Sequence, residues 1–258
     1  MKINSRYIGA VVLAPLLIFV LLGGLPLKLF TIALSVCGLY EFYHALKTKE
    51  ISYILLVVYY ALNNNFEYMM YILVIAIVLA LIIPIIDLKY SFIDVAVTFL
   101  GFIYVVILFS FIPLVNSKVN GGYLVWLIFI GSWVSDTVAY YFGRFFGKHK
   151  LCPKVSPKKT IEGSIGGFLG GTLGCGIFGI IVSSYVPEVK LIHFFLIGAL
   201  CGIMSQFGDL VASSIKRYVG LKDYSNLIPG HGGILDRFDS ILFNAVVVFY
   251  YLTFVIGI

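Results

Sequence analysis

Apolar runs long enough to cross a bilayer recur along almost the whole of this 258-residue chain, and they leave it few folds. They cover about 8–22, 27–46, 51–62, 68–86, 92–114, 122–143, 163–186, 191–215 and 240–257. A helical span needs about 20 mostly apolar residues. Inside lipid only helices and closed barrels satisfy every backbone N–H and C=O. These runs lack the strict alternation of barrel strands, so helices are expected. Charged residues make up 12% of the chain, against about 25% in soluble domains. The expected fold is all-α: a polytopic integral membrane protein of about nine transmembrane helices. The run at 51–62 is short and ends in Asn63-Asn64-Asn65, so it is expected to be tilted, re-entrant or extended through Phe66. Lys2 and Arg6 precede the first run in the manner of a signal peptide, but Gly23-Gly24-Leu25-Pro26 makes a poor cleavage site, and the run reads as a retained helix.

The bases orient these spans. With the N-terminus inside, 15 of the 18 Lys and Arg fall in cytoplasmic segments, and only Lys28, Lys118 and Lys190 fall opposite. That partition obeys the positive-inside rule and puts the C-terminus on the far side. The segments around 144–159 and 216–237 then face the cytoplasm, as in a bacterial-type inner (plasma) membrane. The net charge of +6 is mostly this asymmetry, so no nucleic-acid partner is expected. Cys37, Cys152, Cys175 and Cys201 show no ligand spacing and read as small core residues, without disulfide or zinc. Residues 1–115, the first five spans, carry little chemistry. Glu41 and His44 read as headgroup-level residues, Asp87 to Lys89 as a charged turn, and His44 and His193 as structural. Residues 116–258 carry the chemistry-bearing segments.

The densest of these runs from Ser205 to Asp239. At 100° per residue, Ser205, Asp209, Ser213 and Lys216 share one face of an otherwise apolar helix. A charge at the bilayer centre costs about 2.5–3.5 kcal/mol even on lenient scales. Asp209 therefore needs a cation, a water-filled cavity or a function. Beyond it come Lys222-Asp223, a turn at Pro229-Gly230, His231-Gly232-Gly233, and then Asp236, Arg237 and Asp239. Carboxylates from two segments beside Lys216, Arg217 and Lys222 fit a metal–polyphosphate site: Mg²⁺ takes few protein carboxylates and completes its shell with phosphate and water, and the bases donate to phosphate. Glycines at 230, 232 and 233 let backbone N–H groups approach an anion.

A second constellation runs from Asp136 to Gly163. Asp136 lies mid-span with Tyr140 one turn on, as an interhelical partner or as part of a polar cavity. Ser156-Pro157 reads as the cap and first residue of a helix. Lys158 and Lys159 would then sit in a first turn, where an anion offsets their unfavourable placement. After it, Gly163, Gly167 and Gly171, and Gly166, Gly170 and Gly174, recur every four residues and predict close helix packing.

The first segment resembles the signature of the phosphatidate cytidylyltransferases, the CDP-diacylglycerol synthases. It supplies Ser213, Ile215, Lys216-Arg217, Lys222-Asp223, Ser225, Ile228, Pro229, His231-Gly232-Gly233, Ile234, Asp236-Arg237, Phe238 and Asp239 at that signature's spacing. The second resembles the Ser-Pro-x-Lys-Thr-x-Glu-Gly region of the same family through Ser156, Pro157, Lys159, Thr160, Glu162 and Gly163. The resemblance implies transfer from CTP to phosphatidic acid in the bilayer, giving CDP-diacylglycerol and pyrophosphate, in a homodimer. It implies Mg²⁺, alone or with a second cation, on Asp209, Asp236 and Asp239, with these acids and Lys216 catalytic. It implies substrate binding by Lys158, Lys159, Thr160, Ser213, Lys216, Arg217, Lys222, His231, Gly232, Gly233 and Arg237, with Asp136 as a further cavity residue. Two other classes share these features: a CTP-dependent kinase of polyprenols or other lipid alcohols, and an ion-coupled transporter. Against the transporter stand the lack of an inverted repeat and the one-sided clustering of motifs.

Overall fold

Among the described residues, the apolar runs become helices that pair as antiparallel neighbours. A computed structural model describes residues 17–48, 66–228, 230 and 232–258. Helix α1 spans Gly24–Leu46 and α2 spans Phe66–Ile86. A continuous helical segment follows, made of α3 (Phe92–Gly101), a π-helical stretch (Phe102–Ile107) and α4 (Leu108–Asn116). Ser91 opens it with a capping box: its hydroxyl accepts from Asp94 N while the Asp94 carboxylate accepts from Ser91 N. The short α5 (Gly121–Leu124) leads into α6 (Trp126–Phe146). A two-stranded antiparallel ribbon comes next, β1 (Lys150–Cys152) and β2 (Ser156–Thr160), pairing Lys150 with Thr160 and Cys152 with Ser156. Helices α7 (Ile161–Val182), α8 (Leu191–Tyr218) and α9 (Leu235–Tyr250, continued by a π-helical turn over Tyr251–Ile256) complete the chain.

Six helical segments among the described residues are long and apolar enough to cross a membrane: Gly24–Leu46, Phe92–Asn116, Gly121–Phe146, Ile161–Val182, Leu191–Tyr218 and Leu235–Ile256. The run at 51–62 and most of the run at 8–22 lie outside the described residues, and α2 contributes a shorter apolar helix, Ile77–Ile86. The outer surface is itself apolar, with Ile180, Ile181, Ile203 and Phe254 exposed, as a lipid-facing surface requires. The inner core joins both halves of the chain: the rings of Phe109 on α4 and Phe238 on α9 lie 5.4 Å apart.

The glycine stripes of α7 serve packing within the subunit. A Cβ on Gly166 or Gly170 would strike Phe142 or Val138 of α6 at 2.5 and 2.7 Å. One on Gly171 would strike the Gly198 carbonyl of α8 at 2.7 Å. One glycine face thus seats α6 and the other seats α8. Because these helices alternate in direction, the connections 147–160 and 219–234 emerge at the same end of the bundle. At the other end Lys118 donates to the Ile258 carbonyl (2.7 Å) and Asn120 to Glu188 (2.8 Å).

Two local expectations are overturned. Ser156-Pro157 does not open a helix: Ser156–Thr160 is strand β2, and Thr160 caps α7 by accepting from Gly163 N at 3.1 Å. Proline favours an extended residue before it, and the Glu162 carboxylate holds the incoming chain by accepting from Lys148 N (3.1 Å) and His149 N (3.3 Å). Lys158 and Lys159 therefore stand on a strand, Lys158 exposed and Lys159 half-buried. Glu41 is no headgroup residue either. It is 1% exposed, within the bundle, because the start of α9 needs an acceptor there.

Candidate functional site

The polar groups separate into a cavity and a buried loop anchor, linked through α9. The cavity has a volume of about 410 Å³ and lies between α6, β2, α7 and α8. Asp136, Tyr140 and Arg144 reach it from successive turns of α6, Lys158, Lys159 and Thr160 from β2 and its end, and Gln206 and Asp209 from α8. Lys159 crosses to α8: its Nζ lies 2.7 Å from Asp209 Oδ2 and donates to the Gln206 carbonyl at 3.3 Å. The cation that Asp209 needs is thus a lysine from the ribbon rather than Lys216 on its own helix. Ser213 donates to Asp209 Oδ1 at 3.3 Å, as the shared helical face predicts. Gln206 ties α7 to α8 by donating to the Ser164 carbonyl at 3.0 Å and accepting from the Ser164 hydroxyl.

Asp136 is both an interhelical partner and a cavity residue. It accepts from Ser205 on α8 (3.2 Å) and from Ser240 on α9 (3.0 Å). Ser240 in turn accepts from Ser132 at 2.9 Å, and its backbone N–H donates to Asp239 Oδ1 at 2.8 Å. Asp136 and Asp209 line the same cavity with Lys159, and Asp239 lies near enough to interact electrostatically with both acids. Close approach of α8 and α9 makes this grouping: a Cβ on Gly208 would meet the Asp239 carbonyl at 2.4 Å.

Asp236 faces the other way. Its Oδ1 receives Lys216 Nζ at 2.6 Å, and its Oδ2 receives the N–H groups of Tyr224 (2.8 Å) and Gly233 (2.9 Å). The two side chains of the pair are 9% and 2% exposed. Lys216 also stands 5.5 Å from the centre of the Tyr224 ring. Burial, followed by the nearby Asp236 and Asp239 carboxylates, pushes the Tyr224 phenol above its ordinary range and keeps it protonated. The turn closes by Ile228 N–H donating to the Gly232 carbonyl at 2.8 Å, with Gly230 and Gly232 at φ of 77° and 81°, a region that favours glycine. The anions that the glycine backbone approaches here are the protein's own. A Cβ on Gly232 would meet Asp236 Oδ2 at 2.8 Å, and one on Gly233 would meet Glu41 Oε1 at 2.5 Å.

Of the residues singled out in sequence, the cavity therefore gathers Asp136, Lys158, Lys159, Thr160 and Asp209, and Asp239 adjoins it. Ser213 supports Asp209, while Lys216, Asp236, Gly232 and Gly233 build the loop anchor. Arg217, Lys222 and Arg237 are exposed, and Arg217 donates to the Leu221 carbonyl at 2.8 Å. His231 and Pro229 lie outside the described residues. Tyr140, Arg144, Ser164 and Gln206 are cavity residues that sequence reasoning left without a role. The spacing 136, 140, 144 puts Tyr140 and Arg144 on the face of Asp136, a signal legible from helical periodicity.

The donor chemistry can be tested against Mg²⁺. Among the described residues, no three His, Cys, Asp or Glu side chains are placed to enclose a metal ion. Mg²⁺ does not ask for such a cage; it keeps water and phosphate around one or two carboxylates. Asp209 and Asp239, with Asp136 beside them, supply hard oxygen donors of that kind. The oxygens of Asp236 already receive a lysine and two backbone N–H groups.

The sequence pattern of the cytidylyltransferase family matches residues 4–255. Three similar proteins are each named phosphatidate cytidylyltransferase. That of Staphylococcus saprophyticus is 35% identical over 164 residues, that of Staphylococcus haemolyticus 36% over 164, and that of Staphylococcus aureus 33% over 157. Each alignment covers 60% of this chain and spans 58% of the relative's length. A match that runs nearly from end to end, over a chain whose two motif segments meet at one end of a helical bundle, places the protein: it belongs to the cytidylyltransferase family.

Proposed function

We propose that this protein is a membrane cytidylyltransferase that converts CTP and phosphatidic acid to CDP-diacylglycerol and pyrophosphate. The observation that carries the reading is the cavity itself, where Lys158, Lys159 and Arg144 surround a space beside Asp136 and Asp209, at the helix ends where a lipid phosphate and a soluble nucleotide meet. A phosphate oxygen of the lipid attacks the α-phosphorus of CTP. The new P–O bond forms as the bond to the β-phosphate bridging oxygen breaks, and pyrophosphate leaves with that electron pair. Such transfer rests on positioning and charge neutralisation rather than on a protein nucleophile. Lys158, Lys159 and Arg144 hold phosphate oxygens as charge-assisted donors. The β1–β2 ribbon, ending at Thr160, fixes where the two lysines stand, and α6 carries Arg144. Asp209 and Asp239, with Asp136 adjacent, are the residues that would hold Mg²⁺, whose chemistry when bound is neutralisation of phosphate charge. Lys216 and Asp236 keep the 224–233 loop against α9, within reach of the exposed Arg217, Lys222 and Arg237. The site faces the cytoplasm, by the partition of bases, and α1 and α4 brace α9.

The deciding experiment follows CTP labelled separately at the α and γ positions, with phosphatidic acid in mixed micelles. The α label is expected in the lipid and the γ label in pyrophosphate, and excess chelator is expected to abolish turnover until Mg²⁺ is restored. Transfer of the γ label to a lipid alcohol, with release of CDP, would instead make the protein a lipid-alcohol kinase. Undiminished turnover in chelator would remove the metal from the reading.

Lys159→Ala tests the cavity directly. It removes one phosphate donor and the partner of Asp209, and kcat/KM for CTP is expected to fall about tenfold to a hundredfold, since a hydrogen bond to a charged group contributes about 1.5–3 kcal/mol. Thermal stability in detergent should change little, because the pair is partly exposed. Normal CTP kinetics would leave Lys159 a surface base facing anionic lipid.

A further inference from the structure

The buried carboxylate of Glu41 neither lines the cavity nor joins the Lys216–Asp236 pair. It comes from α1, nearly two hundred residues before the loop it touches. Its Oε1 receives the Ser225 hydroxyl at 2.7 Å and Ile234 N–H at 2.9 Å, and its Oε2 receives Leu235 N–H at 2.9 Å. No Lys or Arg pairs with it among the described residues. A buried anion without a counter-cation is costly unless hydrogen bonds and dipoles replace the water. Here the replacement is the N-terminus of α9, whose free N–H groups and positive dipole end favour an acid. The fit is close on both sides. A Cβ on Gly233 would meet both carboxylate oxygens at 2.5 Å, and one on Gly38, a turn before Glu41, would meet Leu235 Cδ2 at 3.2 Å.

Glu41 thus holds three points of one short path: Ser225 at the start of the turn, and Ile234 and Leu235 at the start of α9. Asp236 follows at the next position and Asp239 one turn on. We infer that Glu41 is a positioning residue for nucleotidyl transfer, fixing the start of α9 so that Asp239 stands beside Asp209 and Asp136. This rests on the reading of the protein as a cytidylyltransferase. The CTP-holding bases stand on other elements, Lys158 and Lys159 on the β1–β2 ribbon and Arg144 on α6, and none of them is hydrogen-bonded to Glu41. Loss of Glu41 should therefore slow the chemical step and spare nucleotide binding.

Glu41→Gln keeps the volume but sets an amide N–H₂ opposite donors. The expected result is a kcat lowered about tenfold or more, as displacement of reacting groups by an ångström brings, with KM for CTP within about twofold of the parent. Amide hydrogen exchange at residues 234–235 should speed up. Glu41→Asp, which keeps the charge at a shorter reach, should be intermediate in kcat. Ser225→Ala, which removes one of the three bonds, should show the same split on a smaller scale and carries the test if Glu41→Gln does not fold. Parent-like kcat in Glu41→Gln, or in Ser225→Ala where Glu41→Gln fails to fold, would overturn the inference, as would equal damage to kcat and CTP binding. A parent protein that forms no CDP-diacylglycerol would instead overturn the functional reading, before any variant is made.

Discussion

Asp209→Asn should slow cytidylyl transfer by about a hundredfold or more, equivalent to about 2.7 kcal/mol of transition-state stabilisation. The side chain keeps its size and its bond from Ser213, and it loses only charge. That charge faces Lys159 at 2.7 Å and stands among the carboxylates of Asp136 and Asp239. If Asp209 acted only as the counter-ion of Lys159, its loss would cost little, because this pair is a quarter to a third exposed and such pairs contribute at most about 1 kcal/mol. The two roles separate in the melting temperature, where the double variant Asp209→Asn/Lys159→Met removes both members of the pair; its turnover is low on either role, because Lys159 itself holds phosphate. Stability should match the parent there, while turnover stays low. The measurements are kcat under saturating CTP and Mg²⁺ and the melting temperature in detergent. Near-normal turnover of Asp209→Asn at saturating Mg²⁺ would make the acid structural.

Lys216→Met should do its damage through folding. The Lys216–Asp236 pair is buried on both sides at 2.6 Å, and removing one partner of such a pair destabilises by about 3–5 kcal/mol, because the other charge stays buried and unpaired. Asp236 would keep the N–H groups of Tyr224 and Gly233 but lose its only cation among the described residues. The 224–233 loop should loosen, and activity should disappear with it. Lys216→Met/Asp236→Asn removes both charges and should regain part of the lost stability without regaining activity. Thermal melting and limited proteolysis within 219–234 read the effect. An unchanged melting curve for Lys216→Met would show that the pair contributes nothing to the anchor.

Much of the site was legible because it lies on helices with strong periodicity. The shared face of Asp209 and Ser213 follows from 3.6 residues per turn, and the structure joins them directly. The glycine stripes of α7 announced close packing, and the structure shows it directed at α6 and α8. What failed was local and short. Ser156-Pro157 carries the signal of a helix start, yet the ribbon takes those residues because β1 and the Glu162 carboxylate offer their neighbours partners that a helix would not. Glu41 could have been found by the argument applied to Asp209, since an acid inside an apolar run needs a partner wherever it sits.

The chain by itself determined the mostly helical membrane class and the two motif segments, since hydropathy and periodicity are properties of neighbouring residues. Which charge meets which was decided only in three dimensions. Along α8, Lys216 follows Asp209 by seven residues, about 10.5 Å of rise, too far for contact within one helix. Each took a partner from another element: Lys159 for Asp209 and Asp236 for Lys216. The start of α9 likewise found Glu41 from the far end of the chain. A buried charge or a free helix N-terminus must be satisfied, and sequence shows that need. The element that satisfies it depends on which surfaces the glycines allow to touch, and that belongs to the folded bundle.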